Sequence, residues 1–520
     1  MLGMRLRAPR GDREILVRPE LADMPDLVTR NHHALARIDR PVLGLPFQAV
    51  RDEARRGLCP GADLIVQTGH QPTPYHPGVW IKNFLAFKLA GRVGGQSLNL
   101  IVDNDAAKHL EIVVPAMAAD GGADLTRVRL PDEEPPPALP YEECPAPAFE
   151  RLRTICGRVK SACHNEDMRA GFDLFWQAIC EVYDSRSSIA ALITAARRRL
   201  ELAGGIENRP VFMSALSAAR PFRLVLLHIL ANLPRFVEVH NAALAAYRKA
   251  HRIRNRANPV PDLAVEGDVL ETPYWVWRAG EERARLTARC GPNTIDLLRG
   301  DETVLSAPRG HLLDPDRGPD LLEAALGRGW KIRARALSTT LFCRLFVADV
   351  FIHGIGGAKY DLITNAIINR FFDVDPPPYI VCSATVRLPV PTHGATADDL
   401  RRLKHRLRDL TWNPDRHLAD GARRSEPFRT LIKRKRALIA QPRGAAAADR
   451  WETFSNIRRV NASLMDGAAD QIAAARRRVP ELERQIAADA VLGSREYAFC
   501  LFPPGLLPAF YDQTLAELSQ

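Results

Sequence analysis

The sequence predicts an α/β fold built on a parallel sheet, with a small β-rich insertion and a helical C-terminal section. Three observations carry this. Residues 63–105 read as strand, turn, helix and strand. ETPYWVWRAG and ERARLTARCG alternate apolar and polar residues on either side of a turn. From about Ala395 the chain turns basic, with apolar residues at helical spacing.

In the first segment, ADLIVQTGHQP is a short apolar run that enters a turn. IKNFLAFKLAGRV is helical in period, and SLNLIVDND is a β-compatible run ending in acidic and amide residues. A βαβ unit of this kind pairs its strands in parallel through a right-handed crossover. Ligands of open parallel sheets bind outside the carboxyl ends of the strands, where the polar residues 68–76 and 103–109 fall. Residues 131–148 hold seven prolines and read as a stiff, extended connector. FDLFWQAICEVY and IAALITAARRRLELAG follow as helices, and PVFMSALSA as a second strand entering a turn. The stretch from PFRLVLLHIL to AAYRKAH reads as two helices broken at Pro234. RALSTTLFCRLFVADVFIHGIGGAKYD reads as a helix ending in a glycine-rich loop, ITNAIINRFFDV as a helix, and PPPYIVCSATVRLPV as a strand. DQIAAARRRVPELERQIAADA reads as part of a helical hairpin of coiled-coil type. The expected units are an entry segment (1–60), an α/β core (61–394) with the β-rich insertion near 265–310, and a helical C-terminal domain (395–520) ending in a docking tail, CLFPPGLLP.

A chain of 520 residues supports two or three such units and buries a core without disulfide staples. Its nine cysteines are odd in number and form no CxxC pair, which argues against a disulfide framework or a zinc ribbon; buried thiols are expected. No apolar stretch resembles a signal peptide or a membrane span, so a cytoplasmic protein without membrane attachment is expected. The net charge of +11 fits a small anionic substrate or nucleic acid. The arginines are spread along the chain, and KHRLRD and IKRKR read as solvated helical faces, so nucleic acid is the less favoured partner.

Four clusters could carry chemistry. Gly69, His70, Gln71 and His76, with Lys82 and Asn83 following, place imidazoles and a helix start at one turn, a setting for an anion; the alternative is a proline-rich turn with capping histidines. Asp103, Asn104 and Asp105 end a strand and suit an amine, a sugar hydroxyl or Mg²⁺, or else cap a helix. The run from His353 to Asp361, with Gly354, Gly356, Gly357, Lys359 and Tyr360, combines close backbone approach with charge; neither the Walker A nor the dinucleotide spacing is present, and a helix C-cap is the alternative. Asn241 and His251 mark a helix whose end could hold an anion.

TGHQPTPYHPGVWIKNFLAFKLA followed by IVDND, then IHGIGGAKYDLITNAIINRFFDVDPPPYIVCSATVRLP, and finally CLFPPGLLPAFYD, in this order, resemble the bacillithiol synthase family. These ligases add cysteine to an amino-sugar conjugate. The resemblance implies a Rossmann-like core, a coiled-coil domain, a homodimer, and ATP or ADP as cofactor, with no metal. It implies a carbon–nitrogen ligase joining an amino acid, expected to be cysteine, to the amine of a small anionic acceptor. His70, His76, Asp103, Asp105 and Lys359 would then be catalytic. Gly69, Gln71, Lys82, Asn83, Asn104, Gly354, Gly356, Gly357, Tyr360, Asp361, Asn241 and His251 would bind substrate or nucleotide. The chain departs from the family pattern at His70, which stands for a glutamine, at His76-Pro77-Gly78, which replaces a glycine–proline element, and at Asn104, which replaces a histidine. Those departures keep two alternatives open: a non-catalytic nucleotide- or metabolite-binding protein, and a nucleic-acid-binding protein.

Overall fold

The computed structural model describes residues 6–108, 110–131, 135–442 and 446–519. His109 of the acidic cluster and residues 132–134 of the connector lie outside the described residues. The protein is mixed α/β and divides into two compact units. The first comprises Met1–Val114, Arg127–Leu388 and Arg495–Gln520; the second comprises Pro115–Thr126 and Pro389–Ser494. The tail that the sequence groups with the C-terminal helices therefore belongs to the first unit.

The first unit is organised by a six-stranded sheet of β1 (Glu14–Arg18), β2 (Ile65–His70), β3 (Gln96–Ile101), β4 (Arg209–Phe212), β5 (Val350–His353) and β6 (Ile380–Thr385). The spatial order is β1-β6-β5-β2-β3-β4. β1 is antiparallel to β6, and the other neighbours are parallel. β5 and β6 are buried at every residue, as apolar strands covered on both faces must be. From β2 the chain builds outward through β3 to β4, then returns to the other side of β2 for β5 and β6. The strand order reverses between β2 and β5, the place in such a sheet where a crevice forms outside the carboxyl ends.

That junction is tied at its opposite end by a buried ion cluster. The Asp349 carboxylate, fully buried before β5, accepts from Arg51 at 2.8 Å, Arg55 at 3.1 Å and the Ile65 backbone N–H at 2.7 Å. Both arginines stand on the helix Phe47–Leu58, so one carboxylate joins that helix to the starts of β2 and β5.

Helix α1 (Pro77–Arg92) connects β2 to β3 and is buried around most of its circumference, Lys82 and Asn83 included. Helix α2 (Ile355–Phe372) starts directly after β5. This corrects the reading of one helix followed by a glycine-rich loop. The segment breaks into the helix Ala336–Phe342, a π-helical turn Cys343–Val347, β5, and then α2, capped by Gly354. The β-compatible run VFIH forms a strand, and the glycines occupy the first turn of a helix rather than closing the last one.

A second, antiparallel sheet orders Glu302–Pro308, Thr294–Arg299, Ala284–Cys290, Val269–Arg278 and Trp330–Ala334. The last of these strands, WKIRA, alternates apolar and polar residues but is short and lies beyond the insertion expected near 265–310. The two helices flanking Pro234 are Arg220–Ala231 and Leu233–His251, with the proline in the first turn of the second, where its missing N–H costs nothing. Seven of the nine cysteines are buried free thiols; Cys180 is exposed and Cys290 partly so.

The second unit is largely helical, with Ala397–Trp412, Glu426–Ala440, Ala447–Met465 and Ala469–Leu492 as its long helices. It has small apolar clusters, one of Leu410, Ala468, Ile472 and Ala475 and another of Leu418, Ile432, Val460 and Leu464. In IKRKR, Lys433, Arg434 and Arg436 are exposed, whereas Lys435 is buried and paired with Asp415 at 2.5 Å, so this run is not wholly a solvated face. No helix of the described residues is long and apolar enough to cross a membrane.

Candidate functional site

A cavity of about 950 Å³ lies at the carboxyl ends of β2, β3 and β5, at the reversal of strand order. It gathers three sequence clusters: Gly69, His70, Gln71, His76 and Lys82; Asn104 and Asp105; and Gly354, Gly356, Gly357, Lys359 and Tyr360. Each follows a strand of the same parallel sheet, so the fold brings them to one end.

The turn after β2 sets the histidines. His70 Nδ1 lies 3.2 Å from the Gln71 carbonyl, so the neutral ring carries its proton there and presents Nε2 as an acceptor. His76 caps α1: its Nδ1 accepts the Gly78 N–H at 3.1 Å, which leaves the proton on Nε2, 3.4 Å from Glu496. Burial, reinforced by Lys82, brings the pKa of His70 down to about 3; burial and Arg495 do the same to His76, also to about 3. Neither ring is a cation at neutral pH, and His76 has the capping role given above as the alternative.

The cation of this cluster is Lys82, one of the expected binding residues. Its ammonium is buried at the cavity wall and donates to the Gly69 carbonyl at 2.8 Å. No carboxylate pairs with it among the described residues. Burial brings its pKa down to about 8. A desolvated ammonium with one backbone partner favours an incoming anion, because a charge of opposite sign restores what burial removed.

Helix α1 reaches this position through Gly78. A Cβ there would lie 2.2 Å from the Ala384 carbonyl oxygen of β6. Gly78→Ala is expected to lose about 1–3 kcal/mol, the usual cost of overpacking, read as a lower urea midpoint with unchanged slope.

On the side of the second sheet, Asp105 accepts from Gln71 at 3.0 Å and Arg283 at 2.9 Å. The guanidinium carbons of Arg283 and Arg335 lie 4.7 and 4.5 Å from the Trp275 ring centroid, close enough for cation–π attraction. Arg335 and Arg285 also pair with buried Glu271. Around the whole cavity, Arg7, Lys82, Arg283, Arg285, Arg335, Lys359 and Arg495 face only the carboxylates of Asp105 and Glu496 among the described lining residues, so its potential is positive.

Five sequence candidates do not line the cavity. Asn83, buried on α1, donates to Glu201 at 2.6 Å and to Tyr75 at 3.2 Å. Asp103 accepts the Ser214 N–H at 2.9 Å and also its hydroxyl, joining the end of β3 to the helix after β4; burial, then Glu142, brings its pKa up to about 6. It caps no helix of its own and does not line the cavity. Asn241 exchanges hydrogen bonds with the Leu263 backbone, both at 2.9 Å, behind the wall. His251 is exposed at the end of its helix beside Tyr247. Asp361 is buried behind His353. Conversely, Trp275, Arg283, Arg285 and Arg335 line the cavity and stand outside the four sequence clusters, whereas His353, which heads the glycine-rich cluster, lines it as well. Arg283 and Arg285 carried a usable signal: two residues apart on an extended chain, they share a face.

No model of a known protein family matches the chain, and no curated protein matches it either.

Proposed function

We propose that the chain is a carbon–nitrogen ligase that joins an amino acid, cysteine being the first candidate, to the amine of a small anionic acceptor such as an acidic amino-sugar conjugate. The observation that supports this reading best is the positive cavity at the strand-order reversal, with unpaired Lys82 in its wall. A Rossmann-like description of the core agrees with that reversal, and a cavity of this volume accommodates a nucleotide-sized ligand.

The lining suits ATP. Lys82 and the first-turn glycines of α2 offer charge and backbone N–H groups to phosphates. ATP would supply the activation that condensing a carboxylate with an amine requires. Arg283, Arg335 and Trp275 would hold the acceptor's carboxylates and sugar face, and Asp105 its amine. Asp103, tied to Ser214, no longer shares that role. Lys359 and Tyr360, both exposed at the rim, would close on the bound pair.

The test is to incubate the protein with ATP, cysteine and a glucosamine conjugate bearing carboxylates, and to follow mass. The expected product has the summed mass of amino acid and acceptor less one water, together with spent nucleotide. ATP binding with no amide from any amine–amino acid mixture would contradict the ligase reading and favour a binding protein on the same fold.

A further inference from the structure

We infer that His353 is the proton acceptor of this cavity and that Asp361 is the residue that positions it. The imidazole ends β5 and lines the cavity. Its Nε2 lies 2.8 Å from Asp361 Oδ2, and the same oxygen takes Arg344 Nη1 at 2.6 Å. Burial alone would raise the Asp361 carboxyl, but Arg344 and His353 outweigh it and hold it ionised, well below the usual range. An ionised carboxylate only accepts, so Nε2 carries the ring proton and Nδ1 keeps its lone pair.

The open nitrogen is what separates this pair from a structural strut. Nδ1 takes no hydrogen bond from the described residues, and it faces Gly357, where a Cβ would lie 2.9 Å away. The ring itself is fixed by Phe351 and Tyr379, with centroids at 4.5 and 5.0 Å. Burial lowers the pKa of His353 while Asp361 opposes that, so the ring is neutral before reaction and its cation has a carboxylate partner once a proton arrives. His70 also presents a lone pair, but its other nitrogen is backed by a neutral carbonyl, whereas Asp361 gives a cation at His353 a carboxylate partner; Lys82 opposes an imidazolium at both rings.

This inference rests on the ligase reading for its substrate. There, the acceptor nitrogen bonds to the carbonyl carbon of an ATP-activated carboxyl group. The carbon–oxygen bond to phosphate breaks with its electron pair on the phosphate, and the proton shed by the nitrogen passes to Nδ1. Asp361 stays ionised throughout.

The test uses the full chain without substrate. In ¹⁵N-histidine protein at pH 7, with His353→Gln for assignment, His353 is expected to show protonated Nε2 and bare Nδ1; a proton on Nδ1 overturns the inference. Diethyl pyrocarbonate at the same pH, with peptide mapping, is expected to acylate His353, and Asp361→Asn to slow this at least tenfold while exposed His251 reacts unchanged. Equal rates in both proteins, or an unreactive His353, also overturn it. If Asp361→Asn does not fold, the wild-type nitrogen shifts decide. Neither readout involves turnover, so absent amide formation with a reactive, correctly protonated His353 removes the ligase reading alone. Amide formation with an inert His353 removes only this base.

Discussion

Alanine in place of Asp349 is expected to destabilise the protein by about 3–5 kcal/mol, the cost of removing one partner from a buried ion cluster. The carboxylate is fully buried and neutralises two guanidiniums with little solvent contact of their own. Burial already brings Arg51 down to about 10 despite Asp349 beside it. Without the carboxylate, Arg51, Arg55 and the Ile65 N–H lose a common acceptor. Because that acceptor joins the starts of β2 and β5, the loss falls on the two strands whose far ends build the cavity. Urea unfolding is the measurement. A change below about 1 kcal/mol would mean that the arginines find water or other acceptors, and that the cluster is not what holds the junction.

Methionine in place of Lys82 is expected to act in the opposite sense on stability while removing the site's main charge. The lysine's pKa is lowered by burial from 10.5 to about 8 in the folded chain. A group with a depressed folded pKa contributes its full stability above the unfolded value and loses it as pH falls through the folded one. At pH 7 the buried ammonium therefore costs up to about 3 kcal/mol. The apolar, similarly long methionine removes that cost. Lys82→Met is expected to be the more stable protein at pH 7, with its advantage shrinking between pH 8 and 10.5 as the wild-type lysine sheds its proton. Denaturant unfolding across that range checks the sign. A less stable variant at pH 7 would show that the Gly69 contact outweighs desolvation. A residue kept at a cost to folding is the pattern of a binding site rather than of a core.

The parts of this fold that were legible in the sequence are those with local signals. The β2–α1–β3 unit follows from a short apolar run, a helical period and a second apolar run, and its polar ends identify two of the three clusters at the cavity. The third is legible by its glycines, but its structure was misread. The helix-like LFCRLFVADVFIH hides a strand, because a short buried run looks alike in either state. At the turn the neutral histidines and Lys82 are all legible as candidates, and Lys82 is the cation among them; it stands on a helix buried nearly all round, where a lysine has no packing reason to be. What local patterns cannot carry is pairing across distance. Arg283 meets Asp105 from more than 150 residues away and stacks, as Arg335 does, on Trp275, and Asp361 reaches Arg344 only because β5 and α2 fold back on the preceding turn.

The proposed function requires an anion to bind in the cavity against Lys82. Calorimetric titration of ATP at pH 8, in two buffers of different ionisation heat, tests it most directly. An anion beside Lys82 restores its proton, so the wild-type protein is expected to bind with uptake of about half a proton, given a free pKa near the working pH. Lys82→Met is expected to bind at least tenfold more weakly, with that uptake gone. Binding of equal strength in both proteins with no proton taken up, or no binding to the wild type at all, would contradict the claim.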